Sequence, residues 1–196
     1  MTITINNQKF ELTNDQVNKL KTALGLNGKQ LSEVAIGETF KVADIEFIHF
    51  GNGVAVAKDV VFSSKFGKNN DFTNSDILKG LKKEILPKIE GAIGADNVLE
   101  FETDLLSLDG SDKYGVLKSK ISLPTFDFYR KNVKIFDKYK LNAWWWLSTA
   151  WSTDEHYDNN YIECVAPIGD LYDGDYYGNF GVRPILTFVS SIFVTC

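Results

Sequence analysis

All four tryptophans of this 196-residue chain, Trp144, Trp145, Trp146 and Trp151, fall within a stretch of eight residues. Burying one tryptophan removes roughly 200 Å² from water, worth about 5 kcal/mol at about 25 cal/mol per Å². One face of such a run must therefore be core. Side chains alternate along an extended strand, which assigns Trp144 and Trp146 to the core and leaves Trp145 and Trp151 more open. Tyr157, Tyr161, Tyr172, Tyr176, Tyr177 and Phe180 follow. Between Leu141 and Val182 there is no Lys or Arg, but there are seven carboxylates: Asp154, Glu155, Asp158, Glu163, Asp170, Asp173 and Asp175.

The length suits one substantial domain with a small appendage. A composition of 44% hydrophobic and 24% charged residues is that of a globular chain and not a disordered one. Apolar runs such as Val54 to Ala57 are too short to span a bilayer, so no membrane partner is expected. The start, Met1-Thr-Ile-Thr-Ile-Asn, lacks a basic stretch followed by an apolar core. Cytoplasmic residence is the expectation, with incorporation into a virion as the alternative.

A net charge of −5 argues against direct nucleic-acid binding, which needs cations to displace counterions from phosphate. The carboxylates of the 141–182 segment account for this balance and leave the remainder slightly basic. Cys164 and Cys196 form neither a disulfide framework nor a metal spacing. Cys164 reads as a buried thiol in the strand-like Tyr161 to Val165 and Cys196 as a free terminal one, with a disulfide between them as the alternative.

Residues 1–28 read as a small ββα unit. Thr2 to Ile5 and Lys9 to Leu12 are short strands around the hairpin dipeptide Asn6-Asn7. Thr13 and Gln16 form a capping box; Val17, Leu20 and Leu24 line one helix face, and Gly25 is a stop. Leu26 to Gln30 is the expected hinge. Within 31–196, strands are expected at Thr39 to Val42, Ile45 to Phe50 and Val54 to Ala57. Asn74-Ser75-Asp76 opens a helix with Ile77, Leu81, Ile85 and Ile89 on one face, which Pro87 should kink or interrupt. Thr125 caps a second helix carrying Phe126, Tyr129, Val133 and Phe136 on one side. Leu99 to Phe101 and Leu105 to Leu108 read as short and irregular. Further strands are expected at Tyr161 to Val165, Arg183 to Val189 and Ile192 to Thr195. Gly169 to Gly181 reads as turn-rich loop. The pattern is α+β with mixed antiparallel strands and two main helices.

Trp144-Trp145-Trp146-Leu147-Ser148-Thr149 and Gly181-Val182-Arg183-Pro184-Ile185-Leu186 together resemble a family of uncharacterised domains from phages and prophages of Gram-positive bacteria. Its pattern pairs Trp-Trp-Leu-Arg-(Ser/Thr) with Gly-(Val/Phe)-Arg-Pro. The openings Ser75-Asp76-Ile77 and Leu123-Pro124-Thr125 fit as well. The resemblance spans roughly Leu31 to Cys196. It departs at Ser148, where the family usually has Arg, so any anchor made by that Arg is absent or replaced. By the same signature the domain resembles the C-type-lectin-like fold of the formylglycine-generating-enzyme type. That resemblance implies that the Trp strand and the Gly-Val-Arg strand pair in the core and that intervening loops form a variable binding face. It also implies a phage context, where small proteins commonly recognise a surface ligand or block a host defence protein.

The candidate binding set is Trp151, Asp154, Glu155, Tyr157, Asp158, Tyr161, Asp170, Tyr172, Asp173, Asp175, Tyr176 and Tyr177. Exposed aromatics beside carboxylates suit either a protein hot spot or a platform for sugar rings. Asp170, Asp173, Asp175 and Asn179 could offer oxygens to Ca²⁺, but Asp-x-x-Asp-Gly-Asp is no EF-hand and lacks its closing Glu. Solvated turn residues are the expectation, and no metal or cofactor is assigned. His49, in an apolar strand, is structural or edge-exposed; with only His156 besides, a histidine zinc site is not expected. Arg183, the one cation after Lys140, is expected to pair with a loop carboxylate and hold the loop closed. No nucleophile-elbow, phosphate-loop, dinucleotide or zincin motif occurs, so no enzyme is expected. The leading expectation is a non-enzymatic protein-binding module that offers its acidic, aromatic face to a basic partner, such as a CRISPR effector nuclease of the host. The alternative is a virion-associated receptor- or carbohydrate-binding module.

Overall fold

The structure is a computed structural model that describes residues 2–5, 8–13, 15–17, 19, 28–154 and 159–196. At the N-terminus Thr2–Ile5 (β1) and Gln8–Glu11 (β2) pair antiparallel, with Thr2 opposite Glu11. The capping box forms: the Thr13 amide donates to Gln16 Oε1 at 3.0 Å and the Gln16 amide to Thr13 Oγ1 at 3.3 Å. Asn6, Asn7, Leu20, Leu24 and Gly25, which carry the rest of the expected unit, lie outside the described residues. Lys29–Gln30 (β3) is not hinge but strand, paired with Phe193 and Val194. Gly28 permits that approach. Its φ is +123°, and a Cβ there would sit 2.0 Å from the Val194 carbonyl oxygen.

The alternating segments form the expected strands Thr39–Val42 (β4), Ile45–Gly51 (β5) and Val54–Ala57 (β6), followed by Phe62–Ser64 (β7). Ser75 caps the first helix through its hydroxyl, which accepts from the Leu78 amide at 3.0 Å. The helix runs as Asp76–Gly80 (α1), a wider π turn at Leu81–Ile85, and Leu86–Ile93 (α2). Ile77, Leu81, Ile85 and Ile89 are all buried. Pro87 neither breaks nor ends the helix, because the Leu86 amide reaches back to Leu81 and the ladder widens just ahead of the proline ring.

Val98–Leu99 (β8) and Phe101–Asp104 (β9) replace the irregular stretch expected around Leu99 to Phe101, and β9 pairs with Val116–Ser119 (β10). Ile121–Ser122 (β11) precedes the second helix, Phe126–Lys131 (α3), capped by Thr125 Oγ1 accepting from the Phe128 amide at 3.1 Å. Asn132 breaks the helix before Val133–Phe136 (α4). The phase shifts there, so Tyr129 and Phe136 are buried while Val133 is turned out to solvent.

The remaining strands are Trp145–Ala150 (β12), Tyr161–Val165 (β13), Leu171–Asp175 (β14), Phe180–Val182 (β15), Ile185–Phe188 (β16) and Phe193–Val194 (β17). One sheet has the order β11-β16-β6-β5-β4, with β8 also on β16; a second has the order β14-β13-β12-β15-β7. Within the second, β12 and β15 run parallel and the other neighbours antiparallel. The fold is therefore α+β, with several antiparallel sheets and few helices. No helix among the described residues is long and apolar enough to cross a membrane.

Two apolar clusters cover the two faces of the β12 sheet. One contains Phe66, Phe72, Trp146, Ile162, Cys164 and Val182. The other contains Tyr129, Phe136, Trp145, Leu147, Val165 and Ile185. The chain passes from the second sheet to the first through Arg183 and Pro184: the Val61 amide donates to Val182 and the Ala57 amide to Pro184, both at 2.9 Å.

Candidate functional site

Both Trp145 and Trp146 are core, on opposite faces of β12. Trp145 is 2% exposed and packs edge-on against Tyr129. Trp146 is fully buried, and its indole N–H donates to the Ser64 carbonyl at 2.9 Å. Trp144, expected in the core, is instead 38% exposed; it precedes the strand, stacks on Phe180 and meets Tyr172 edge-on at 5.3 Å. Alternation failed to sort these residues because this sheet has core on both sides, so neither parity points to water.

The Trp strand and the Gly-Val-Arg segment pair directly, with Trp145 opposite Gly181 and the Gly181 amide donating to Trp144 at 2.8 Å. Among the described residues Arg183 pairs with no loop carboxylate. It is buried, its Nε–H donates to the Ala57 carbonyl at 2.9 Å, and its guanidinium carbon lies 4.6 Å from the Trp145 ring centre and 5.5 Å from that of Phe136. Its Nη2 has no hydrogen-bond partner among the described residues. Burial lowers its pKa to about 10, opposed by the charge of Asp59. Aromatic faces replace the expected anion.

The stretch expected to be loop contains β14, the edge strand of this sheet. Its register on β13 places Tyr161 opposite Asp175, Ile162 opposite Gly174, Glu163 opposite Asp173, Cys164 opposite Tyr172 and Val165 opposite Leu171. Because successive residues face opposite ways, Tyr172 shares a face with Cys164, Ile162 and Trp146. Asp173 and Asp175 share the other face with Glu163 and Tyr161. The aromatic and acidic features thus lie on opposite faces of one edge strand. Trp144, Tyr172 and Phe180 gather on one side, while Glu163, Asp173 and Asp175 lie on the other.

Glu163 is the residue that sequence reasoning left out of the site. It is buried, and burial together with the neighbouring charge of Asp173 raises its pKa to about 7. Its position in an alternating strand was visible; the covered face that buries it was not. Burial also pushes the Cys164 thiol up to about 12, with Glu163 and Asp173 adding to the rise, so this cysteine is an inert core group. Cys196 is exposed and unpaired.

Beyond β14, Tyr177 is 66% exposed and T-shaped against Tyr176, and a bond to Asp175 raises its pKa. Tyr176 is half-buried, and its carbonyl accepts from the Phe66 amide at 2.8 Å. Asp170 is exposed just before the strand, where its carbonyl accepts from the Ala166 amide. At the end of the sheet next to Asp175, Trp151 is 47% exposed and its amide donates to Tyr161, itself half-buried. Buried Asn70 ties this end together, donating to the Ser152 and Tyr161 carbonyls and accepting from Tyr114. Asp154 is exposed, and Lys113 reaches the neighbouring Thr153 carbonyl at 3.2 Å. That end therefore has a cation nearby that sequence proximity did not reveal. Glu155, His156, Tyr157 and Asp158 lie outside the described residues.

His49 is buried, with Nδ1 2.8 Å from the Val34 carbonyl, and is structural. Among the described residues no group of three or more His, Cys, Asp or Glu is placed to hold a metal. A cleft of about 510 Å³ opens elsewhere, between β9, α3 and β16. No family model, no curated protein and no solved structure matches this chain.

Proposed function

We propose that this chain is a non-enzymatic binding module of phage type that engages a basic protein through the β14 edge and the turn after it. The supporting observation is the edge itself. Asp173 and Asp175 stand on one face and the exposed aromatics Trp144 and Tyr172 on the other. The 141–182 segment itself contributes seven carboxylates and no Lys or Arg. A cationic surface would be drawn to such an edge over several ångströms, and the rings would supply contact area once it arrives.

The phage assignment rests on the paired tryptophan and Gly-Val-Arg-Pro motifs, and the direct pairing of β12 with β15 is what a C-type-lectin-like core of the formylglycine-generating-enzyme type would contain. In that setting a host defence nuclease with a cationic groove, such as a CRISPR effector, is the partner of matching chemistry, and the host cytoplasm is the place of action.

The test is capture from host lysate by the protein and by its Asp170→Asn/Asp173→Asn/Asp175→Asn variant. The protein should retain partners that the variant loses. Capture should fade as salt shortens the Debye length from about 10 Å to about 3 Å, and a chelator should change nothing. Equal capture by the triple variant would remove the electrostatic basis of the proposal. A second reading, a virion-associated saccharide-binding module, draws on the Trp144–Tyr172–Phe180 cluster as a stacking platform. It requires saccharide binding that salt leaves unchanged and Trp144→Ala abolishes.

A further inference from the structure

We infer that the partner is recognised by strand addition: an extended segment pairs with β14 along its open edge, with basic side chains at every second position and apolar ones between. This rests on the proposed function and specifies how its surface is read. The backbone carries it. The Ala166 amide donates to Asp170 and the Tyr176 amide to Asn160. These bonds flank β14 and fix which of its residues bond to β13. In an antiparallel pair, bonded and non-bonded positions alternate. Tyr172 and Gly174 therefore direct their amides and carbonyls toward β13, while Leu171, Asp173 and Asp175 direct theirs outward. The Asp175 carbonyl is taken by the Gly178 amide at 2.7 Å. Among the described residues no hydrogen bond reaches the amide or carbonyl of Leu171 or of Asp173. These groups form a template for one more strand.

The side chains specify the occupant. An added strand would lie about 4.8 Å from β14, with its side chains alternating between the same two faces. On one face they would meet Asp173 and Asp175, with Glu163 one strand further in. On the other they would meet Tyr172 and, next to it, Trp144. A Lys or Arg at alternate positions satisfies the first face, and a Val, Tyr or Leu between them satisfies the second. A segment with the same residues in blocks would place cations against the rings and apolar groups against the carboxylates. The two carboxylates also disfavour pairing of this edge with a second copy of the same strand, which would bring like charges together.

The experiment uses three synthetic peptides slightly longer than β14: one alternating Lys with Val and Tyr, one of the same composition in blocks, and the alternating peptide N-methylated at alternate residues along its pairing edge. Binding is followed by calorimetry and by tryptophan emission, with the full chain and with Asp173→Asn and Asp173→Pro. The Asn variant removes the charge and keeps the outward amide. The Pro variant removes both, and because that amide points away from β13 it costs no ladder bond. The alternating peptide should bind at least about tenfold tighter than the block peptide. N-methylation should abolish binding, and Asp173→Pro should lose at least about tenfold more than Asp173→Asn. Should Asp173→Pro lose its cooperative melting, the N-methylated peptide decides the matter. Equal binding of alternating, block and N-methylated peptides overturns strand addition, as does no peptide binding at all. In either case, partner capture that still depends on the three aspartates leaves the broader proposal standing, and loss of that dependence removes both.

Discussion

The guanidinium carbon of Arg183 lies 4.6 Å from the centre of the Trp145 ring, and its Nε–H reaches the Ala57 carbonyl at 2.9 Å. These contacts join the crossing between the two sheets to the tryptophan strand and to β6. A lysine at this position can reach the carbonyl or lie on the ring, but its compact ammonium cannot do both. Arg183→Lys should cost about 2–3 kcal/mol in urea unfolding, from a lost cation–π contact and a poorly solvated buried charge. A loss below about 0.5 kcal/mol would show that the crossing is held by packing alone.

Glu163 should make stability depend on pH in the direction opposite to that of a salt-bridged carboxylate. It titrates at about 7 in the folded chain against 4.5 as a free side chain. Below the lower value both states carry the proton. Between the two the unfolded chain ionises first, so stability falls as pH rises, and the loss is complete above the upper value. Its size is on the order of 3 kcal/mol. Glu163→Gln should flatten this slope and raise the urea midpoint at about pH 8 while leaving it nearly unchanged at about pH 4. An unaltered slope in the variant would assign the pH dependence to other carboxylates.

Trp144 and Trp146 should behave as different kinds of residue despite their shared parity. Trp146→Ala empties a fully buried site and leaves the Ser64 carbonyl without its donor; a loss of about 3–5 kcal/mol is expected. Trp144→Ala removes a ring that is 38% exposed and should cost less than about 1.5 kcal/mol. Urea unfolding of the two variants side by side checks this, and comparable losses would contradict the placement of Trp144 at the sheet margin.

Local chemistry was the most legible part of this chain. The Thr13, Ser75 and Thr125 caps need only a hydroxyl and an amide three residues on, and all three form. Strands β4, β5 and β6 emerged from alternation because turns bound them closely. Alternation misled at Trp144 and Trp145 because two apolar clusters flank their sheet. Strand β14 was hidden by its composition: Leu-Tyr-Asp-Gly-Asp has the residues of a turn, and only pairing with β13 makes it extended. The exposed members Tyr172, Asp173 and Tyr177 were identified from sequence, but their division between two faces follows only from the strand. The stacking partners of Arg183 come from β12 and α4, too far along the chain for any spacing to suggest.

Gly174 lies inside the stretch that reads as turn-rich loop, yet its role is to admit two rings. A Cβ there would lie 2.6 Å from Phe180 and 2.8 Å from Trp146. Glycine in a strand interior ordinarily weakens it, so replacement by alanine should on general grounds stabilise. Here the sign reverses. Gly174→Ala must push Phe180 or Trp146 off its present position, at about 1–3 kcal/mol for overpacking. Phe180 also stacks on Trp144 at 5.7 Å, so the displacement should reach the exposed aromatic face. The variant should therefore unfold at lower urea and show altered tryptophan emission in the folded state. A more stable Gly174→Ala with unchanged emission would mean that the rings do not cross β14 at this point, and the aromatic face would lose its foundation.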